Sequence, residues 1–230
     1  MHVTSEHRLD DHVLERRFTV GDIPGILWTP ETPAEPTPLI LVGHPGGLDM
    51  MYPRVSTRAR HAVAAGYAAA TIELPGSGAR PRSADAEKAR AELRHAVAVG
   101  EPVTDDVVDR LVLPLVEKSV PEWQSALDAV LELPEICGPV GYSGGVIAIG
   151  VRLAVVEPRI AAALLYAGSF LPRSMFEEGA SCRAVCSRRR GRPPFHYRFC
   201  CNGTTKETTD RWRWICSTPS GPRRKRCTPT

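Results

Sequence analysis

Ser143 has a glycine two residues before it and another two residues after it, in Gly141-Tyr142-Ser143-Gly144-Gly145. A short apolar run, Pro139-Val140, leads in, and a long run of small apolar residues from Val146 to Val156 leads out. That order reads strand, sharp turn, helix. Ser143 then stands at the apex beside a helix N-terminus, and the glycines remove side chains that would collide in the turn. A serine so placed is suited to nucleophilic attack on an acyl carbon. The same five residues also suit an ordinary glycine-rich turn, so the rest of the chain has to decide.

Acyl transfer needs two backbone N–H groups aimed at the developing oxyanion. Gly144, directly after the serine, is placed to give one. The second is sought in Gly43-His44-Pro45-Gly46-Gly47, which follows the apolar run Leu39-Ile40-Leu41-Val42. Pro45 has no N–H, so Gly46 is the first choice and Gly47 the second. His44 and Tyr142 adjoin these positions and are the candidate binding residues. His44 is read as fixing the turn, not as the general base, because it precedes the nucleophile and belongs to the oxyanion loop. This chemistry calls for no cofactor and no metal.

The elements that must position these groups follow from hydrophobic patterning. Residues 13–20 and 23–30 read as a hairpin about Gly21-Asp22. The run at 39–42 is the mark of a strand buried on both faces of a parallel sheet. Helical character over 53–65 closes at Gly66, and a strand over 67–74 ends in Pro75-Gly76-Ser77-Gly78. Helices are expected at 84–98 and 104–118, as an insertion over about 83–119 that is a candidate lid, and a separate helix starts near Pro121. Residues 160–166 form another buried strand. Strands separated by helices and buried on both faces indicate an α/β fold with a doubly wound, mostly parallel sheet.

With GHPGG, ELPGSG and GYSGG following successive strands in that order, residues 10–178 resemble the α/β-hydrolase family. The resemblance implies a serine, acid, histidine triad, with the acid and the histidine after Ser143 in the chain. Where the family often has aspartate this chain has Glu73, read as part of the turn. Glu177 and Glu178 read as solvated surface, and His196 is the only histidine after Ser143. The triad is not completed by the residues present.

Composition explains part of that gap. The chain of 230 residues is 43% hydrophobic and 24% charged, which suits one soluble globular domain of about 178 residues. The charged N-terminus has no signal-peptide core and no run is long enough to span a membrane, so a cytoplasmic protein is expected. Residues 181–230, however, hold 13 Lys and Arg against 2 Asp and Glu, six of the seven cysteines and no leucine. The preceding residues hold 16 basic and 24 acidic side chains. A core cannot be built from such a tail.

Cys182, Cys186, His196 and Cys200 form a loose zinc-like spacing that nothing frames, so no metal is expected. The arginines suggest nucleic acid, but no helix or ribbon pattern accompanies them, and no nucleic-acid or membrane partner is expected. Reading the tail from each codon's third base tells more. His196-Tyr197, Phe199-Cys200 and Cys200-Cys201 each then force leucine, and Trp214-Ile215 forces aspartate. The shifted frame holds a strand where the actual frame is expected to have none, and permitted codons continue it into an acidic turn, a helix and a second strand. Residues 179–230 are therefore read as a disordered, out-of-frame tail, with the sheet lacking its last strands. The expected function is a serine hydrolase of carboxylic esters or related small acyl substrates, inactive for want of acid and histidine. A non-catalytic binding protein and a chain with a metal- or nucleic-acid-binding tail are the rivals.

Overall fold

The computed structural model describes residues 1–166 and 170–175, together with the backbone of residues 198–200. Three antiparallel strands come first: β1 (His2–Leu9), β2 (Val13–Val20) and β3 (Ile23–Pro30). The hairpin of β2 and β3 has its expected bounds, with Gly21 at φ 59° in the turn. β1 was not expected. Its sequence, HVTSEHRL, offers no apolar face, and the strand is held as an exposed edge by pairing with β2.

There follow β4 (Thr37–Gly43), α1 (Leu48–Ala64), β5 (Ala68–Ile72), α2 (Ala84–Val99), α3 (Asp105–Leu131), β6 (Ile136–Gly144), α4 (Ile147–Val156), β7 (Ile160–Tyr166) and the three-residue β8 (Arg198–Cys200). The strands form one sheet in the order β1-β2-β3-β5-β4-β6-β7-β8. β3 meets β5 antiparallel, and the pairs from β5 to β8 are parallel. The crossovers β4-α1-β5 and β6-α4-β7 are the parallel units that the apolar runs predict.

Helices cover both faces of this sheet. On one, Val55, Ala59 and Val63 of α1 pack on Val13, Ile26, Trp28, Val42 and Ala69. On the other, α3 and α4 pack on Leu39, Leu41, Ala70, Ile72, Val140 and Leu165. α2 lies outside, against α3, with Ala89 as its one buried residue.

Three expectations change. α1 begins at Leu48, not near residue 53, because both carboxylate oxygens of buried Glu73 accept the Leu48 N–H at 3.0 Å and cap the helix start. The two helices expected at 104–118 and from Pro121 are one, α3, with Pro114 and Pro121 inside it. Its buried stripe of Val108, Val112, Val116, Val120, Trp123, Leu127 and Val130 never breaks. Burying an aliphatic side chain is worth about 1.5–3 kcal/mol, so the six aliphatic positions of this stripe, with Trp123 beside them, outweigh two interior prolines at about 3 kcal/mol each. Lastly, residues 198–200 form a strand where the actual frame was expected to have none, pairing with Leu164–Tyr166 along the open edge of β7. The zinc-like spacing lies outside the described residues apart from the backbone of Cys200, as do Glu177, Glu178 and His196.

Candidate active site

Ser143 lies at the carboxyl end of β6, one residue before its last, between β4 and β7. It is in register with Val42 on one side and Leu164 on the other. The turn therefore falls one residue later than expected. Gly144 has φ 79° and Gly145 φ 76°, while His12 is the only non-glycine with positive φ among the described residues. Two adjacent glycines absorb the reversal into α4, so Ser143 stays in extended backbone and is not at a strained apex.

The two glycine-rich turns meet here. Gly43 pairs with Gly144, and a Cβ on Gly145 would lie 2.9 Å from the Gly43 Cα. Arg58, half-buried on the inner face of α1, spans both strand ends. Its Nη1 donates to the Gly43 carbonyl at 3.0 Å, and its Nη2 donates to the Ser143 carbonyl at 2.6 Å and to Ser143 Oγ at 2.9 Å. The serine is thus engaged by a guanidinium, which donates and cannot take up a proton at any ordinary pH.

His44 is 1% exposed, with Nδ1 2.6 Å from the Gly46 carbonyl and Nε2 2.9 Å from the Ile72 carbonyl. It ties the turn after β4 to the end of β5. Glu73 supports the same turn from below through the Leu48 N–H, and a Cβ on Gly78 would be 2.6 Å from its Oε2. Gly46 and Gly47 sit between these two anchors, Gly47 as the N-cap of α1. The Glu73 carboxylate meets the positive end of that helix at the Leu48 N–H, so that donor is already engaged.

Tyr142 points away from Ser143 into the opposite face. It is 2% exposed, with its ring edge-on to Trp123 at 5.9 Å and 82°. Burial pushes its phenol well above the ordinary value, and the Arg58 charge opposes this. Ser143, Gly144 and the Gly46-Gly47 turn are brought together at one end of the sheet, while Tyr142 and His44 are packed within it. A pocket of about 80 Å³ between α2 and α3, lined by Gly76, Arg82, Glu87, Arg90, Leu111 and Lys118 among others, includes none of them.

Sequence reasoning missed Arg58. The signal was its position, three residues after Val55 and one before Ala59, both of which are buried. An arginine on the apolar stripe of a helix needs acceptors, and the strand ends supply them.

No protein-family model matches the chain, and no curated protein matches it by sequence. Solved structures do. A cold-adapted esterase from an Arctic intertidal metagenomic library aligns at a TM-score of 0.52 and 22% identity, over 72% of this chain and 64% of that one. A Klebsiella pneumoniae subsp. pneumoniae protein assigned as a dienelactone hydrolase aligns at 0.50 and 11%, over 76% of this chain and 82% of that one. The fold is that of the α/β-hydrolases. The chain spans only 64% of the length of that esterase. Among the described residues of this hydrolase fold, no helix is long and apolar enough to cross a membrane.

Proposed function

We propose that the chain descends from a serine hydrolase of carboxylic esters or related small acyl substrates and, as it stands, turns over little or none of them. Ser143 is the nucleophile, with Gly144 and Gly46, or Gly47 in its place, as the oxyanion donors. The carrying observation is the partner of Ser143 Oγ. Arg58 donates to it, and no histidine or carboxylate hydrogen bond to it is among the contacts of the described residues. A serine hydroxyl without a general base lacks the group that contributes about 10²–10⁴ in rate. The tail, read as displaced text, accounts for the missing acid and histidine. Resequencing the locus tests that part: an unbroken frame with no displaced hydrolase end nearby removes it.

The test of function is an ester panel assayed on this chain and on its frame-restored counterpart. Turnover at least a hundredfold higher in the restored chain is expected. Equal turnover in both defeats the missing-triad reading. Stable folding with small-molecule binding and no Ser143-dependent turnover in either chain favours a non-catalytic binding protein on this fold.

A further inference from the structure

We infer that Arg58 is a catalytic residue of this site, whose guanidinium stabilises Ser143 Oγ as an alkoxide. The inference rests on Ser143 being the nucleophile. Three hydrogen bonds carry it. The carbonyls of Gly43 and Ser143, at the ends of β4 and β6, hold the planar guanidinium in place. The third contact, Nη2 to Ser143 Oγ at 2.9 Å, is then set by the other two and needs no rearrangement during reaction.

Because Arg58 donates, Oγ accepts, and the serine's own proton is directed away from the guanidinium. When that proton leaves, the negative charge forms beside a permanent cation. Gly144 belongs to the same arrangement. A Cβ there would lie 2.6 Å from Nη2, so the guanidinium fills the space a side chain would need. With no histidine hydrogen-bonded to the serine among the described residues, solvent hydroxide is the base. Hydroxide takes the Oγ proton and becomes water. The alkoxide then attacks the acyl carbon of an ester, whose carbonyl π pair moves onto oxygen and returns as the ester's own alkoxide leaves and takes a proton from water. In a fluorophosphonate it attacks phosphorus, from which fluoride leaves with its bonding pair. The charged and titratable groups on the surrounding elements are Asp49, Tyr52, Arg54, Arg60 and His61 on α1, His44 after β4, Glu73 after β5, Tyr142 on β6 and Arg152 on α4. His44 and Glu73 hydrogen-bond within the neighbouring turns, and Tyr142 lies on the opposite face of the sheet.

The experiment follows the rate of labelling by a fluorophosphonate against pH in the full chain, with the modified residue located by peptide mass. In the wild-type chain, labelling at Ser143 is expected to rise about tenfold per pH unit toward a plateau, as a hydroxide-dependent step requires. Arg58→Gln is expected to slow labelling at least tenfold at pH 8 and to move the profile upward by a pH unit or more. If Arg58 only caps the strand ends, the variant loses amplitude with no change in the profile's position, and that result overturns the inference. So does labelling as fast as wild type or faster. Should Arg58→Gln not fold, Arg58→Lys carries the test: an upward displacement supports the role and an unchanged position refutes it. Labelling that persists in Ser143→Ala, or its absence from the wild-type chain, instead removes Ser143 as nucleophile and the inference with it.

Discussion

At Gly144 the backbone has φ 79°, and a Cβ would come within 2.6 Å of the Arg58 guanidinium. Alanine there meets two separate obstacles. Gly21, at φ 59° with nothing within 4 Å of a Cβ, presents only the first. A left-handed conformation costs an alanine about 1–2 kcal/mol. Gly21→Ala is therefore expected to destabilise by about 1 kcal/mol, and Gly144→Ala by about 1–2 kcal/mol more, since Arg58 must give up contacts with two carbonyls. Urea denaturation of both variants checks this, and equal losses would mean that Arg58 moves aside freely. The serine was legible as a residue because glycine spacing is a strong local signal. Where the chain turns was not legible, because Gly144 and Gly145 offered it a cheaper bend than Ser143 did. Arg58 was hidden for another reason: its partners are backbone carbonyls 15 and 85 residues away, and backbone leaves no mark in a sequence.

Among the elements, α4 lies close against β6 and β7 because Gly150 has no side chain. A Cβ there would strike Leu165 Cδ2 and lie 2.7 Å from Tyr142 Cε1. Both neighbours are themselves buried, so neither can swing into solvent. Gly150→Ala, which improves helix propensity by about 1 kcal/mol, is expected to destabilise overall, because overpacking a core costs about 1–3 kcal/mol or more. A rise in thermal midpoint would show that α4 can shift outward. The second contact that fixes this layer is ionic. Buried Glu157 accepts from Arg159 Nε at 2.7 Å and Nη2 at 2.8 Å, and from Gln124 of α3 at 3.3 Å. The Arg159 hydrogen bond foremost lowers the Glu157 carboxyl from its ordinary 4.5 to about 2. A depressed folded value means that the stabilisation is complete above the unfolded value and is lost as pH falls through the folded one. Glu157→Gln is expected to cost about 2 kcal/mol near neutrality, with the gap to wild type closing between about pH 4.5 and 2. A gap that does not change with pH would assign the loss to packing. Strands buried on both faces were legible here, since apolar runs such as Ile160–Tyr166 mark them directly. β1 was not, because pairing with β2 alone places it. Nor was the continuity of α3, where local proline rules point one way and a buried stripe of seven residues wins.

For the whole molecule, charge separation is the dominant long-range feature. Residues 1–180 carry a net −8 and residues 181–230 a net +11, so any two copies present complementary charge. Exposed apolar groups are the competing cause of association. They include Val155 at 42% and Phe170 at 41% exposure, with Ala162 on the outer face of β7. The two causes respond to salt with opposite sign. Attraction between exposed charges fades beyond the Debye length, about 10 Å at 0.1 M salt and about 3 Å at 1 M. Contact between apolar surfaces is weakened by no such screening and is strengthened by excluded salts such as sulfate. The exposed apolar side chains, Met50, Val97 and Val99 among them, are few and spread over separate elements beside nineteen net charges divided between opposite signs, so the electrostatic term is expected to decide. The purified chain is expected to sediment as larger species in about 20 mM sodium chloride and to dissociate by about 500 mM, because surface ion pairs contribute little once screened. Association that persists or grows with salt would show that uncovered apolar sheet, not charge, holds the copies together.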